Sequence, residues 1–227
     1  MVIRNKKVRQ VLKYLLPFVL IPGVILWAYL SVRLKNYTAM TVVIVLLAVL
    51  LFIAGFEKKK TGHRRLVIAA VMTALAVVGR FIPVIKPMTA VVIITGMYLG
   101  SETGFMTGAL SAVISNFYFG QGPWTPFQMF SLGLIGFMAG VFARGLKNHR
   151  WVLLLYGAFS GVVYSLIMDI WTVLWYNEGF PVELYVKALA TAVPYTVSYV
   201  IANVAFLWLL GKPFGDKLER MHVKYGI

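Results

Sequence analysis

The sequence predicts an all-α, polytopic membrane protein, and three observations carry that expectation. Of its 227 residues 60% are hydrophobic and only 13% charged. The apolar residues fall in eight runs, and Lys and Arg collect in alternate gaps between them. An ordinary soluble domain carries about 25% charged residues, so with a mean hydropathy of +0.83 this chain has too little polar surface to wrap a water-facing globule. At roughly 20 apolar residues per crossing of a ~30 Å hydrocarbon core, the length fits about eight helices with short loops.

The runs span Val11–Val32, Thr38–Phe56, Leu66–Val84, Met88–Leu99, Thr103–Phe119, Pro126–Ala143, Trp151–Tyr176 and Val186–Leu210. None alternates with period 2, which argues for helices over a membrane barrel. The first run lacks a small-residue cleavage pattern and is read as a span rather than a removable signal. The fourth is short, and its boundary with the fifth rests on Gly100-Ser101-Glu102-Thr103-Gly104.

Orientation follows from the basic residues, which cytoplasmic loops retain. With the N-terminus inside, the cytoplasm receives the clusters Arg4 to Lys13, Lys58 to Arg65, Arg144 to Arg150 and Lys212 to Lys224. Only Arg33, Lys35, Arg80, Lys86 and Lys187 fall outside. Both termini are therefore expected in the cytoplasm of a plasma-membrane protein. The net charge of +15 reads as a topology signal and not as a nucleic-acid footprint.

The segment 57–65 is a basic linker that divides the chain into a transmembrane hairpin, 1–56, and a six-helix core, 66–227. The hairpin is plain Leu, Val and Ile. The core carries small residues at four-residue spacing, at Ala70 and Ala74, Gly96 and Gly100, Gly104 and Gly108, Gly136 and Gly140, and Gly157 and Gly161. Such spacing lets helix backbones approach closely, and ordinary helix packing is the plain reading of each pair.

The chemistry of catalysis and energy coupling is sparse. Six of the seven acidic residues, Glu102 among them, are assigned to loops or tails, and only Asp169 falls inside a span. A proton-driven pump or a carboxylate pair needs at least two facing ionisable groups at depth. His63, His149 and His222 lie on cytoplasmic flanks, cysteine is absent, and no GxxxxGK[ST] phosphate loop occurs. No catalytic residue, no metal site and no permanently bound cofactor is expected.

Polar and aromatic residues gather instead at the outer end of the core. The loop Phe117 to Gln128 contains Tyr118, Gln121 and Trp124, has Asn116 and Gln128 at its flanks, and is shaped by glycine and proline. An interfacial aromatic belt is the plain alternative. Thr191, Tyr195, Tyr199 and Asn203 recur every fourth residue on one stripe of the last span. Asp169 sits about two turns from the end of its span with Trp171, Trp175 and Tyr176 above it, and either contacts ligand or serves structure through Arg80 or a cap.

With Ala70-x-x-x-Ala74 on the first core helix, and Gly120-Gln121-Gly122-Pro123-Trp124-Thr125-Pro126 after the third, the six-helix part resembles the substrate-binding subunit, or S-component, of an energy-coupling-factor vitamin importer. The resemblance implies a non-catalytic subunit that captures a vitamin outside, while a membrane coupling protein and two ATPases use ATP to drive import. It implies that Ala70 and Ala74 dock the coupling protein. Within the family the sequence looks most like a group thought to carry cobalamin or a related corrinoid, with riboflavin or queuosine as alternatives. The candidate ligand contacts are Asn116, Tyr118, Gln121, Trp124, Gln128, Asp169, Trp171, Trp175, Tyr195, Tyr199 and Asn203. The hairpin departs from the family pattern. An autonomous secondary transporter is the competing class, and it would need more intramembrane charge or inverted repeats than this chain shows.

Overall fold

The computed structural model describes residues 6–32, 42–48, 50, 62–82, 86–176 and 180–225, all helical or in short connections. Ten helices are defined, here α1 (Lys6–Leu15), α2 (Ile21–Val32), α3 (residues 42–48), α4 (Gly62–Arg80), α5 (Met88–Leu99), α6 (Ser101–Phe119), α7 (Thr125–Val141), α8 (Ala143–Asn148), α9 (Arg150–Tyr176) and α10 (Val182–Tyr225). A single π-helical stretch, Leu16–Leu20, carries Pro17 in its first turn and joins α1 to α2. Proline lacks the N–H of the normal ladder, and the wider turn accommodates it.

Among the described residues three stretches are long and apolar enough to cross a membrane: Gln10–Trp27, Arg150–Tyr176 and Val182–Met221. Leu66–Arg80, Met88–Leu99 and Thr125–Val141 are shorter apolar helices. Large apolar side chains such as Trp27, Phe159 and Leu209 stand exposed around the outside, as a bilayer requires and water does not. The second hairpin run expected at Thr38–Phe56 and the linker 57–65 fall largely outside the described residues.

At the centre lies α5, whose residues are almost all buried. Helices α5, α6 and α7 cross backbone to backbone through glycine. A Cβ built on Gly104 would collide with the Gly136 carbonyl and the Gly96 Cα, and one on Gly136 with the Gly104 carbonyl. One on Gly108 would meet the Leu132 carbonyl, and one on Gly140 the backbone of Ser101. The four-residue spacing thus serves close packing, as helices require where lipid gives no hydrophobic drive. Gly157 and Gly161 play the same part between α9 and α10, facing Leu207 and Val200. The exception is Gly100, which makes the turn itself: its φ of 94° is open to glycine at no steric cost.

That turn corrects two expectations. The break between the fourth and fifth runs is one residue, not three, and α6 already begins at Ser101. Glu102 therefore lies in the first helical turn and is buried, where a loop position was expected. Its counter-charge is Lys13 of α1, with Nζ 3.0 Å from Oε1. The contact docks α1 on the core, next to edge-to-face contacts of Tyr14 and Phe18 with Phe137. Burial of Leu16, Ile21 and Ile25 completes that seam.

Four further boundaries shift. α4 ends at Arg80, four residues before the run does, because Pro83 disfavours helix in the residue before it. α6 runs on to Phe119 and α7 starts at Thr125, so the outer loop shrinks to 120–124. The sixth run divides, with α7 ending at Val141 and the short α8 following from Ala143. α10 continues through Pro194 and Pro213 to Tyr225. At 1.5 Å per residue it is about 66 Å long, twice a hydrocarbon core, so its basic second half extends beyond the bilayer.

The charged groups segregate to two ends. Tyr98, Lys147, Arg150, Lys212, Asp216 and Glu219 share one cavity at the basic end, where Lys147 sits 4.3 Å over the Tyr98 ring. About 22 Å along α6 from Ser101, Asn116 opens the other end.

Gly104→Ala is expected to destabilise the protein by about 2 kcal/mol or more, since backbone and not a flexible side chain occupies the space. Gly145→Ala, whose added methyl meets nothing within 4 Å, is expected to leave stability unchanged or raised. Thermal unfolding of both variants in detergent checks the pair.

Candidate functional site

At the end opposite the basic cavity, one buried side chain organises the polar groups. Asn116, on the last turn of α6, has no exposed surface. Its Oδ1 accepts from Arg80 Nη1 at 2.6 Å, and its Nδ2 donates to Thr125 Oγ1 and to Gln128 Oε1, both at 2.8 Å. Arg80 Nη1 also donates to Ser115 Oγ at 2.6 Å. Gln128 passes the chain on, its Nε2 donating to the Tyr164 hydroxyl at 3.2 Å. Tyr164 stands edge to face with Tyr199, ring centres 5.1 Å apart. Arg80, Asn116, Gln128 and Tyr164 thus link α4, α6, α7 and α9 in one network, and Tyr199 adds α10.

The local sequence explains this convergence. Gly120, at φ 101°, ends α6. Thr125 opens α7 with Pro126 in its first turn, where the absent N–H is not missed. Gln121 locks the connection: its Nε2 donates to the Val113 carbonyl at 2.9 Å and its Oε1 accepts from Thr125 Oγ1 at 3.0 Å. The ordered turn that glycine and proline foretold therefore holds the Asn116 network in register.

The network forms one wall of a cavity of about 90 Å³ lined by Arg80, Lys86, Met88, Thr89, Gln128, Leu132, Tyr164 and Tyr199. α5 has 12 residues and is about 18 Å long. It stops short of a full crossing and leaves its first residues, Met88 and Thr89, beneath the cavity. Trp124 and Trp171 meet edge to face at 5.7 Å. Among the described residues, Asp169 Oδ2 and Trp171 Nε1 are buried without a hydrogen-bond partner.

Of the residues expected from sequence, Gln128 and Tyr199 line the cavity, Asn116 bonds two of its lining residues, Arg80 and Gln128, and Trp124, Trp171 and Asp169 are not part of the lining. Gln121 supports the loop. Tyr118, 74% exposed, turns outward and packs with Phe81 and Phe119. Trp175 and Tyr195 are also exposed, Tyr195 at 68%. Asn203 is buried at depth, where its Nδ2 donates to the Gly157 carbonyl at 3.0 Å and ties α10 to α9. Arg80 bonds Ser115 and Asn116 in place of the Asp169 partnership considered above.

Sequence reasoning did not single out Tyr164, Ser115, Thr125 or Lys86. Tyr156, Ser160 and Tyr164 recur every fourth residue on α9, a polar stripe of the same kind as that on α10, and it would have found Tyr164.

At one end this many-helix membrane protein holds a small polar cavity between its helices. The family model for the substrate-specific component of ECF transporters matches residues 64–217. The chain belongs to that family, and is a multi-pass membrane protein and the substrate-binding, non-catalytic part of such a transporter. The match begins within the basic segment 57–65. Neither a curated protein nor a solved structure matches the chain.

Asn116→Ala is expected to leave Arg80, Thr125 and Gln128 without their shared partner and to destabilise the protein by about 2–3 kcal/mol. Asn116→Asp, which keeps the acceptor but loses both donors, is expected to fall between. Denaturation of the two variants beside wild type checks the order.

Proposed function

We propose that the cavity between α4, α5, α7, α9 and α10 is the vitamin-capture site, facing the cell exterior, and that cobalamin or a related corrinoid is its ligand. The observation that carries this is the buried Arg80–Asn116–Gln128–Tyr164 network. It fixes polar groups at the cavity wall in a protein whose family binds substrate. Ligand contacts are assigned to Gln128 and Tyr199, with Trp124, Trp171 and Asp169 meeting the ligand once the tryptophan pair parts. The orphaned Asp169 Oδ2 and Trp171 Nε1 are the acceptor and donor that such an opening would use. The corrinoid itself rests on sequence resemblance. Because the closed cavity holds only about 90 Å³, a smaller vitamin such as riboflavin or queuosine is the second reading.

Both termini and the basic cavity are assigned to the cytoplasm, in keeping with the distribution of Lys and Arg. The partners are a membrane coupling protein and two ATPases, which use the ATP; no cofactor stays bound to this subunit. Ala70 and Ala74 are assigned to docking the coupling protein. They stand exposed on α4 with Leu66, Val67, Val71, Leu75 and Val78, leaving a smooth apolar stripe that no helix of this chain covers among the described residues.

Calorimetry on the purified protein is expected to show saturable cobalamin binding at one site, weakened about tenfold or more by Tyr199→Ala and unchanged by Tyr195→Ala. Heat of binding from riboflavin alone would transfer the assignment to the smaller vitamin. Silence across a broad vitamin panel would remove the capture reading.

A further inference from the structure

We infer that the captured ligand carries an anionic group, a carboxylate or phosphate, which docks between Arg80 and Lys86; this rests on the cavity being the capture site. Both residues line the cavity, and both lie on the side where basic residues are rare. Positive charge at the outer end of a span works against topology, and an ionisable residue reaching membrane depth marks a ligand or ion path by default.

Their electrostatic surroundings are incomplete. Among the described residues an ion pair joins Lys13 to Glu102, whereas neither Arg80 nor Lys86 meets a carboxylate. Arg80 is held by neutral oxygens, Ser115 Oγ and Asn116 Oδ1, both through Nη1, and its guanidinium lies 4.7 Å from the centre of the Phe119 ring. A guanidinium has five N–H donors in a planar fork. The two on Nη1 are engaged, while among the described residues those on Nη2 and Nε make no hydrogen bond. Such a fork matches the paired oxygens of a carboxylate or phosphate. A partly buried cation without a counter-charge is costly, and a ligand anion would supply it. Asp169 acts electrostatically on Tyr199, as Arg80 does, but it is not part of the cavity lining.

Lys86 is exposed and makes no side-chain hydrogen bond among the described residues, so Lys86→Gln removes charge while leaving the fold intact, whereas Arg80→Gln would break the bonds to Ser115 and Asn116. The test uses the full chain in phosphatidylcholine nanodiscs, with Trp fluorescence as readout. The probes are matched pairs differing in charge: pantothenate and pantothenol, nicotinate and nicotinamide, FMN and riboflavin. The inference expects at least one anionic member to bind about tenfold or more tighter than its neutral partner, with the preference lost in Lys86→Gln. Equal or better binding of neutral members, unaffected by that substitution, would overturn the anion inference and leave vitamin capture standing.

If no organic probe binds, capture of these vitamins fails and inorganic phosphate decides the anion site alone. A saturable response to phosphate that Lys86→Gln abolishes supports the site, and no response overturns it. Nanodiscs containing phosphatidylglycerol separate the sources. A phosphate response they suppress assigns the site to a lipid headgroup and overturns the soluble ligand, while an unchanged response supports it.

Discussion

The closest contact in the core is between backbones and not between side chains. Where α5, α6 and α7 cross, Gly96, Gly104 and Gly136 leave no room for a single Cβ, and the rest of the arrangement follows from that constraint. Lipid tails are as apolar as leucine, so helices in a bilayer gain little from hiding hydrocarbon and must gain from close packing. Three backbones in contact fix the direction of each helix. With α6 and α7 pinned at their glycines, Asn116 and Gln128 are brought within hydrogen-bond reach across the connection 120–124.

The polar network is the converse of that packing. A buried amide in a membrane protein has no water to fall back on, so each of its groups must find a partner within the protein. Asn116 finds three. Its neighbour Gln128 then reaches Tyr164, and the cavity acquires a wall whose hydrogen-bonding groups are held rigid before any ligand arrives. Preorganisation of this kind lowers the ordering cost of binding. Not every buried polar atom is so satisfied: Asp169 Oδ2 and Trp171 Nε1 have no hydrogen-bond partner among the described residues.

Much of this was legible in the sequence, for identifiable reasons. Helical class and the apolar runs follow from composition and length, which the bilayer constrains tightly. The close-packing role of Gly104 and Gly136 was legible as spacing. The single-residue turn at Gly100 was not, because positive φ is a backbone property that five neighbouring small and polar residues obscure. Glu102 was misplaced for the same reason, and its partner Lys13 lies too far away in sequence for any local pattern to pair them. The polar stripe on α10 was visible, but which of its members face the cavity was not. Helical phase places Tyr195 and Tyr199 on one stripe, yet Tyr195 lies exposed and Tyr199 lines the cavity. Asn203, one turn deeper, bonds the Gly157 backbone because the glycine lets α10 approach. Tyr164 went unnoticed because its stripe is diluted by the larger apolar content of α9.

We propose that this chain holds one small molecule at the Arg80–Tyr164–Tyr199 cavity. Native mass spectrometry of the full-length protein, purified gently from cells grown in vitamin-replete medium, tests it most directly. The account predicts a single adduct of defined mass, one per chain, that is depleted in Tyr199→Ala and retained in Tyr195→Ala. Protein free of any adduct, or an adduct indifferent to Tyr199, would contradict it.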